Sequence, residues 1–397
     1  MATKLFSLAE IAENDREIFC DMLTYVSPEI SSANRVDDAV FLECTDGYEE
    51  GVLQRVSELA GILKMDGMRD TGDVAIKTLK DFTSHIPIND EPIFEELLSC
   101  GSISPACDGV FIYSGVFLDV FNYFSKKIEA FGQEAFPDMV HYEAPVLYPI
   151  HEYDKGGYFE SFPHYIMFQS TLKSDLNVIN AYSKLDSSGK ENEIIKFVQP
   201  SQNVLRHAAC VPIYPLYKDK TVDKEAPISI MVSGRCFRNE GANVFELARL
   251  KEFYMKEYVF IGTQQQIHEK IQIAKAIWNY WIDLFKLSGV IDTANDSFFA
   301  NNYKKLKIFQ ILGDSKQEFK LLLPSSNKMC ASSSANIHRT HFSKSYNIKN
   351  SDAYCHTGCF AFGIERLAYS LLSQKGINPE KWDEPTRKEI YPNRHYV

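Results

Sequence analysis

The sequence lacks the long apolar runs, repeats and low-complexity tracts of membrane, fibrous or disordered proteins. Nowhere in its 397 residues does an apolar stretch approach the roughly 20 residues that a membrane-spanning helix needs. The N-terminus mixes acidic residues into its apolar positions and resembles no secretory signal. The nine cysteines are scattered and odd in number, which excludes a disulfide framework in a chain of this length. A cytoplasmic protein in a reducing compartment, with no membrane partner, is therefore expected.

Positive charge is also scarce. The formal net charge is -11, which argues against a broad nucleic-acid-binding surface, because phosphate binding requires clustered lysine and arginine. A local basic patch stays open. Hydrophobic residues make up 45% and charged residues 24% of the chain, as in an ordinary globular protein, and the length is typical of two or three domains.

The first hundred residues carry no catalytic constellation. Helical spacing covers residues 8–25 and 48–63, and residues 36–43 have the pattern of a short strand. We predict an N-terminal extension over residues 1–100, with an accessory or a structural role, and a catalytic domain over residues 101–397.

The rest of the chain alternates between helical and strand patterns. The predicted elements are a helix over 114–131, a strand over 142–149, a polar surface loop over 185–193, a helix over 267–287, and strands over 304–312 and 318–324. The helix over 114–131 has a strong apolar face. That face fits either a dimer interface or a core helix, and the pattern alone does not separate the two.

Residues 233–262 have the pattern of a strand, a loop broken by Gly241 and Asn243, and a second strand. Arginines occur on both arms, and Phe253 and Glu257 follow on the second arm. Burying several charges beside aromatic rings is costly unless they pair or contact a ligand. A nucleotide would satisfy this requirement, because its phosphates suit the arginines and its flat base suits Phe253.

Residues 354–372 predict a strand, a glycine at Gly363 where the backbone approaches something closely, and a helix with Arg366 in its first turn. A cation at a helix start opposes the helix dipole, so a bound phosphate explains Arg366 better than helix stability does. A buried salt bridge to a carboxylate is the alternative.

Together, FRNE at 237–240 and GIERL at 363–367 resemble motifs 2 and 3 of class II aminoacyl-tRNA synthetases. The resemblance implies an α+β fold in which helices flank an antiparallel sheet, and a site for ATP and Mg²⁺. It implies that Arg238 holds the α-phosphate and the amino acid carboxylate, and that Glu240 contacts the adenine amino group. Phe253 would stack on the base, and Arg249 and Arg366 would bracket the γ-phosphate. Arg238, Glu240 and Arg366 would be the catalytic residues, stabilising the charge of the phosphorane transition state.

Further segments narrow the resemblance: 207–214, 249–258, 294–299 and 356–363. They are similar to the amino acid:[carrier protein] ligases, which are relatives of the atypical, zinc-containing seryl-tRNA synthetases of methanogenic archaea. This resemblance implies zinc ligands at Cys210, Glu257 and Cys359, with the zinc holding the α-amine of the substrate. Two thiolates and a carboxylate suit Zn²⁺ and leave a fourth position open. Widely separated cysteines are otherwise small buried hydrophobes, and Cys355 is close enough to Cys359 to confuse the assignment.

The acceptor implied by this resemblance is the phosphopantetheine thiol of a carrier protein, loaded with a small amino acid such as glycine or alanine by a homodimeric enzyme. tRNA is not expected, because the first hundred residues are acidic in places and show no basic, aromatic-interleaved face. A seryl-type tRNA synthetase and a non-catalytic paralogue that only binds a partner are the alternatives. The segment with His338 and His341 resembles the family only loosely, and no role is assigned to either histidine.

Overall fold

An eight-stranded sheet forms the centre of the protein in a computed structural model, which describes residues 1–65, 76–294, 315–351 and 353–392. The strand predicted over 304–312 and nearly all of the segment 294–299 lie outside the described residues.

The described strands, numbered in chain order, are β1 (Ala2–Ser7), β2 (Ile30–Val36), β3 (Ala39–Cys44), β4 (Thr78–Asp81), β5 (Ile103–Cys107), β6 (Val110–Tyr113), β7 (Val140–Glu143), β8 (Leu147–Pro149), β9 (Met167–Leu172), β10 (Val198–Leu205), β11 (Ile228–Phe237), β12 (Glu252–Gly262), β13 (Gly289–Thr293), β14 (Lys316–Leu323), β15 (Lys328–Arg339) and β16 (His356–Gly363).

The described α-helices, numbered in the same way, are α1 (Arg16–Leu23), α2 (Glu49–Met65), α3 (Phe94–Ser99), α4 (Gly115–Ala135), α5 (Ile150–Lys155), α6 (Tyr158–Ser161), α7 (Leu176–Ser183), α8 (Ser187–Phe197), α9 (Gln264–Ala274), α10 (Ala276–Phe285), α11 (His341–Ser345), α12 (Ile364–Lys375) and α13 (Glu384–Ile390). None of them combines the length and the apolar character that crossing a bilayer would require.

The large sheet has the strand order β4-β13-β14-β15-β16-β12-β11-β7. Its pairs are antiparallel except β11 with β7, which run parallel. The prediction of an α+β fold built on an antiparallel sheet is therefore confirmed.

The β11–β12 hairpin separates two environments. Side chains alternate between the faces of a strand, so residues paired across β12 and β16 share a face. Tyr258 and Phe360, which are paired, belong to a core formed with α4, α9, α10 and α12. Val259 and Cys359, also paired, point to the opposite face and belong to a second cluster. The second face carries the candidate site.

Helix α9 packs closely against the large sheet. It begins at a capping box, in which Thr263 and Gln266 satisfy each other's backbone N–H groups. A Cβ at Gly358 of β16 would lie 2.7 Å from Cγ2 of Ile267, so alanine would not fit there without movement of the helix. Glycine at position 358 therefore allows α9 to pack close to β16.

The N-terminal residues form a small sheet of their own, in the order β1-β3-β2, with α1 and α2 on it and a separate hydrophobic core. The helix predicted over 8–25 is shorter than expected. It begins only at Arg16 and ends at Leu23, and residues 2–7 before it form β1. The strand predicted over 36–43 is two strands, which turn at Asp37 with a positive φ of 52°. Strand β4 belongs to the large sheet although it precedes residue 100.

A third sheet, β8-β10-β9, is an insert that carries α7 and α8. The strand predicted over 142–149 is divided between this insert and the large sheet, because β7 pairs with β11 and β8 pairs with β10. The prediction of a loop over 185–193 is wrong, because α8 begins at Ser187. Asp186 caps a helix there by accepting from the N–H of Gly189, and α8 has no buried residue that would produce an apolar stripe.

The other predicted elements are present with changed bounds. The helix predicted over 114–131 is α4, and its apolar side chains lie in the main core. The helix predicted over 267–287 is two helices, α9 and α10, with a break at Lys275. The predicted sequence of strand, Gly363 and helix is confirmed by β16 and α12.

Candidate active site

One cavity of about 1,220 Å³ contains the predicted metal ligands and the predicted ATP-binding residues together. Its lining includes all eight of them: Cys210, Glu257, Cys359, Arg238, Glu240, Arg249, Phe253 and Arg366. Small-molecule sites usually occupy roughly 300–1,000 Å³. The cavity is therefore large enough for more than one ligand at a time.

The three predicted metal ligands meet at one end of this cavity. The ligand atoms of Cys210, Glu257 and Cys359 all lie within 4.8 Å of one another, and all three residues are buried. Glu257 and Cys359 are diagonal neighbours on the same face, because Glu257 is opposite Ala361 and Cys359 is opposite Val259. Cys355, four positions before Cys359, is not part of the cluster.

Cys210 comes from a coil that a buried arginine fixes against the hairpin. Arg206, which is 1% exposed, donates to the carbonyl oxygens of Arg235, Ala144 and Ser233 at 3.0, 3.0 and 3.1 Å. A Cβ at Gly234 would lie 2.1 Å from Nη2 of Arg206, and the φ of +135° at this position also favours glycine. The backbone N–H of Cys210 then donates to Oε1 of Glu257 at 3.0 Å.

The cluster concentrates acidic groups away from water. The hydrogen bond with the Cys359 thiol, together with burial and the Glu257 carboxylate, raises the pKa of Cys210 well above its ordinary value. Such a group of buried acids is costly unless a cation is shared between them. Zn²⁺ binds sulfur and carboxylate ligands at roughly 2.0–2.3 Å in a tetrahedral arrangement. The three ligand atoms lie close enough together to bind one such ion. The residues present therefore fit zinc.

Arg238 stands where β11 ends and faces the cavity. Its Nε donates to the carbonyl oxygen of His207 at 3.2 Å. Its guanidinium lies 5.1 Å from the ring centre of Phe253 and 5.5 Å from that of Tyr165. No carboxylate of the described residues forms an ion pair with Arg238. Two aromatic rings hold the cation flat while its remaining N–H groups stay available to an anion.

Arg366 lies in the first turn of α12, as predicted. Its Nη1 donates to the carbonyl oxygen of Ala331 at 3.0 Å, and within the described ranges it has no carboxylate partner. The alternative of a buried salt bridge is therefore not what these residues show. A Cβ at Gly363 would lie 3.6 Å from Cδ of Arg366, an ordinary contact, so the protein itself does not require glycine at this position.

Arg249 and Glu240, by contrast, already form a pair. Nε of Arg249 donates to Oε2 of Glu240 at 2.7 Å, and Nη1 donates to Oδ1 of Asp21 at 2.8 Å. Burial lowers the pKa of Arg249, but the two carboxylates raise it more, so the guanidinium keeps its charge. Asp21 belongs to α1, so the N-terminal residues reach the predicted phosphate site.

Arg235 does not line the cavity, although it belongs to β11 and lies only three residues before Arg238. It points to the opposite face of the sheet, where Nη1 donates to Oε1 of Glu365 at 3.0 Å. Burial raises the pKa of Glu365 to about 7, against the lowering effect of its hydrogen bonds from Tyr254 and of Arg235. The arginines of the predicted nucleotide-binding hairpin thus divide between a site and a structural ion pair.

With this geometry established, comparisons identify the family. Residues 196–375 match the tRNA synthetase class II core domain (G, H, P, S and T). The chain is 32% identical to amino acid–[acyl-carrier-protein] ligase 1 of Bradyrhizobium diazoefficiens over 240 residues, which cover 59% of this chain and 71% of that protein. Ligase 2 of the same organism is 31% identical over 58% of this chain and 68% of its own length. The chain belongs to the amino acid–[acyl-carrier-protein] ligase family.

The relatives also include tRNA ligases. The type-2 serine–tRNA ligase of Methanocaldococcus jannaschii is 27% identical over 62% of this chain, and the match spans about half, 49%, of that protein. The solved structure of M. kandleri SerRS with A. aeolicus tRNASec superposes with a TM-score of 0.69 at 20% identity, covering 98% of this chain and 77% of that one. This likeness shows the fold. The predicted class II fold and ligase class are thereby confirmed, and class II synthetases use ATP and Mg²⁺.

The sequence-based prediction missed Asp21, which lines the cleft, and His164, which lies near Arg238 and Arg249 without lining it. Asp21 was missed because it lies in a separate small sheet and helix unit, with no local pattern that points to an arginine. His164 was missed as well. Burial and the positive charges of Arg249 and Arg238 lower its pKa to about 4. The many aromatic residues over 153–165 could have indicated that a ring from this segment, Tyr165, packs against Arg238.

Proposed function

We propose that the protein activates a small amino acid with ATP and Mg²⁺ as an aminoacyl adenylate, and transfers the aminoacyl group to the phosphopantetheine thiol of a carrier protein. In the first step, an oxygen of the amino acid carboxylate bonds to the α-phosphorus of ATP, and pyrophosphate leaves. In the second step, the thiol sulfur bonds to the carbonyl carbon, its proton is lost, and AMP leaves.

One observation carries this proposal: strand β12 joins the two ends of the cavity. Phe253 on β12 contacts Arg238, and Glu257, four residues further along the same strand and on the same face, lies with the two cysteines. Four residues of an extended strand span roughly 13 Å. A rigid strand of this kind would set the distance between a held amine and a held carboxylate, which favours reaction at a defined geometry.

The phosphate roles follow from the charges in the cleft. Arg238 and Arg366 would stabilise the negative charge that develops on the α-phosphate and the leaving pyrophosphate. Glu240 and Arg249 would receive the adenine amino group and the γ-phosphate, and Phe253 would stack on the adenine. Mg²⁺ would neutralise the remaining charge of the triphosphate.

Cys210, Glu257 and Cys359 would hold zinc, which when bound supplies a fourth position for the free α-amine of the substrate. Two of the ligand side chains belong to neighbouring strands of the sheet, so their separation is set by backbone pairing. A rigid recognition point for the amine would reject acids that lack one. Met255, which lines the cavity two residues before Glu257 on β12, would limit the room beside the amine and favour a small side chain such as that of glycine or alanine.

The carrier protein is proposed as the acceptor because two relatives that are 31–32% identical to this chain carry that activity in their names. A tRNA acceptor is the second candidate. It is favoured by the likeness in fold to a seryl-tRNA synthetase, which extends over 98% of this chain and so includes the N-terminal residues.

The remaining parts of the proposal concern organisation. We retain residues 1–100 as an accessory extension and residues 101–397 as the catalytic domain, with β4 contributed to the catalytic sheet by the extension. A homodimer is proposed with α4 and the edge strand β7 at its interface, and the cytoplasm as the location of the enzyme.

The test offers radiolabelled glycine, alanine and serine with ATP and Mg²⁺ to two acceptors, total tRNA and a carrier protein bearing phosphopantetheine. We expect label on the carrier protein only. The same carrier protein without phosphopantetheine is the control and should stay unlabelled. Label on tRNA would establish the second candidate instead, and pyrophosphate exchange without label on either acceptor would leave the adenylate step and reject both acceptors.

A further inference from the structure

A histidine to which no role has been assigned lies against one of the proposed zinc ligands. Nε2 of His338 is 3.6 Å from Sγ of Cys359, and Nδ2 of Asn336 is 3.5 Å from the same sulfur. Both residues come from β15, the strand beside Cys359, where Asn336 is directly opposite Cys359. The sulfur therefore has two nitrogen neighbours on the protein side.

The other ring nitrogen of His338 contacts two hydroxyl groups, an arrangement that suits a proton on Nε2. Nδ1 lies 3.3 Å from the hydroxyl of Tyr214 and 3.4 Å from Oγ1 of Thr357. Both neighbours are hydroxyls that can donate, and at neutral pH a tyrosine hydroxyl keeps its proton. A ring whose Nδ1 accepts carries its hydrogen on Nε2, the nitrogen that faces Cys359.

The position of the ring is held firmly. The Tyr214 ring stacks on Phe342 with centroids 4.0 Å apart and planes 9° apart, and the His338 ring meets Phe342 edge-on at 5.0 Å. These rings prevent His338 from rotating away from the sulfur.

The backbone of β15 is also irregular at this point. Ile337 pairs with Gly358 and Arg339 with Thr357, so the register shifts at His338, which is the extra residue of a β-bulge. Such bulges re-aim a side chain and occur often beside active sites. Arg339 has a φ of 52°, which a non-glycine residue adopts only at a cost of about 1–2 kcal/mol. Strain of this kind persists where surrounding contacts require it.

We propose that His338 is a positioning residue for the amine-recognition site, whose Nε2–H donates a hydrogen bond to the thiolate of Cys359 and fixes its orientation toward the metal. The proposal rests on the zinc site of the proposed function. Asn336 donates to the same sulfur, so the thiolate is anchored by two N–H groups. Partners of this kind typically contribute about 10–100-fold to metal affinity.

The test compares the full-length protein with two variants, His338→Leu and His338→Gln, loaded separately with Zn²⁺ and with Co²⁺. Leucine removes the donor and keeps the bulk, whereas the glutamine amide can place an N–H near the former Nε2. We expect His338→Leu to bind Zn²⁺ about 10–100-fold more weakly in competition with a chromophoric chelator. Its sulfur-to-Co²⁺ charge-transfer band should move to longer wavelength, because a thiolate without a hydrogen-bond donor gives up electron density more easily. His338→Gln should restore most of both properties.

His341→Leu is the matched control. His341 lies on the same segment and its Nε2 contacts the carbonyl oxygen of Gly156 at 3.0 Å, away from the sulfur. This variant should keep the wild-type zinc affinity and cobalt spectrum. Wild-type affinity and spectrum in His338→Leu would overturn the role of His338 alone. Failure of the wild-type protein to bind either metal would overturn the zinc site itself, and this inference with it.

Discussion

The two ends of the cleft hold their charges in opposite ways. At one end, three acidic groups lie within 4.8 Å of one another, and no lysine or arginine of the described residues forms an ion pair with Glu257. At the other end, the arginines differ among themselves. Arg249 is neutralised by Glu240 and Asp21, whereas Arg238 is held by aromatic rings and a backbone carbonyl.

Because of this difference, the two ends would bind different ligands, a cation at the first end and a phosphate at the second. Buried acids without a cation are costly, which supports the proposal that the first end binds a metal ion. At the second end the protein already supplies partners for Arg249, and under the proposed function Asp21 would compete with a phosphate for this guanidinium. The two ends should therefore fail independently of each other when residues are replaced.

The largest effect is expected from Arg238→Ala. Amino-acid-dependent pyrophosphate exchange should fall by at least about 10²–10³-fold, because a preorganised donor to the developing negative charge is removed. Zinc content should stay at the wild-type value. Arg238→Lys keeps the charge but loses the planar guanidinium, so it should recover only part of the activity. Exchange at the wild-type rate in Arg238→Ala would reject the phosphate role of this residue.

At the other end, Cys359→Ser should lose most of the bound zinc while ATP binding stays unchanged. Serine is a poor ligand for zinc and leaves two protein ligands, and elemental analysis and calorimetric ATP titration measure the two properties. Cys355→Ser is the matched control, since Cys355 is also buried but lies outside the cluster. Undiminished zinc in Cys359→Ser would remove this residue from the site.

A smaller effect is expected from His164, through its response to pH. Its pKa is about 4 in the folded protein, against 6.5 as the ordinary value, because of burial and the nearby Arg249 and Arg238. The unfolded chain therefore takes up a proton first as the pH falls. His164 contributes stability above pH 6.5 that is lost as the pH falls toward 4, by about 1–3 kcal/mol.

Urea unfolding of the wild-type protein and of His164→Gln between pH 7 and pH 4.5 measures this contribution. The free energy of unfolding should fall more steeply with decreasing pH in the wild-type protein. Parallel curves for the two proteins would mean that the pKa of His164 is not lowered in the folded protein, neither by burial nor by the nearby arginines.

The smallest effect is expected from Asp21→Asn, which should tighten ATP binding by about two- to five-fold. The Asp21–Arg249 pair is partly exposed, and pairs of this kind contribute about 0.2–1 kcal/mol. Removing it frees Arg249 to contact a phosphate. Glu13→Gln makes the same charge change at an exposed residue that does not line the cavity, and it should leave ATP affinity unchanged. Weaker ATP binding in Asp21→Asn would indicate that Asp21 orients Arg249 rather than competing for it.

The sequence patterns predicted elements that carry their own apolar stripe or alternation. The hairpin of β11 and β12, the helix α4 and the junction of β16 with α12 belong to this class. Helix α8 was predicted as a loop because it buries no side chain and so has no stripe. The strand predicted over 142–149 was divided because its two halves join different sheets, which depends on distant partners.

By itself, the sequence determined the local elements, the motifs of the hairpin and of α12, and through them the family. It also named eight residues that line the cavity, because their order along the motifs does not depend on how the chain packs. The sequence does not show which arginine of the hairpin, or which of Cys355 and Cys359, faces the cavity. The folded structure shows this. Arg235 and Arg238 differ in the face of the sheet to which they point, and Cys355 and Cys359 differ by roughly 13 Å along the strand direction. The contact of Asp21 with Arg249 joins residues from separate hydrophobic cores, and only the folded arrangement of those cores brings them together.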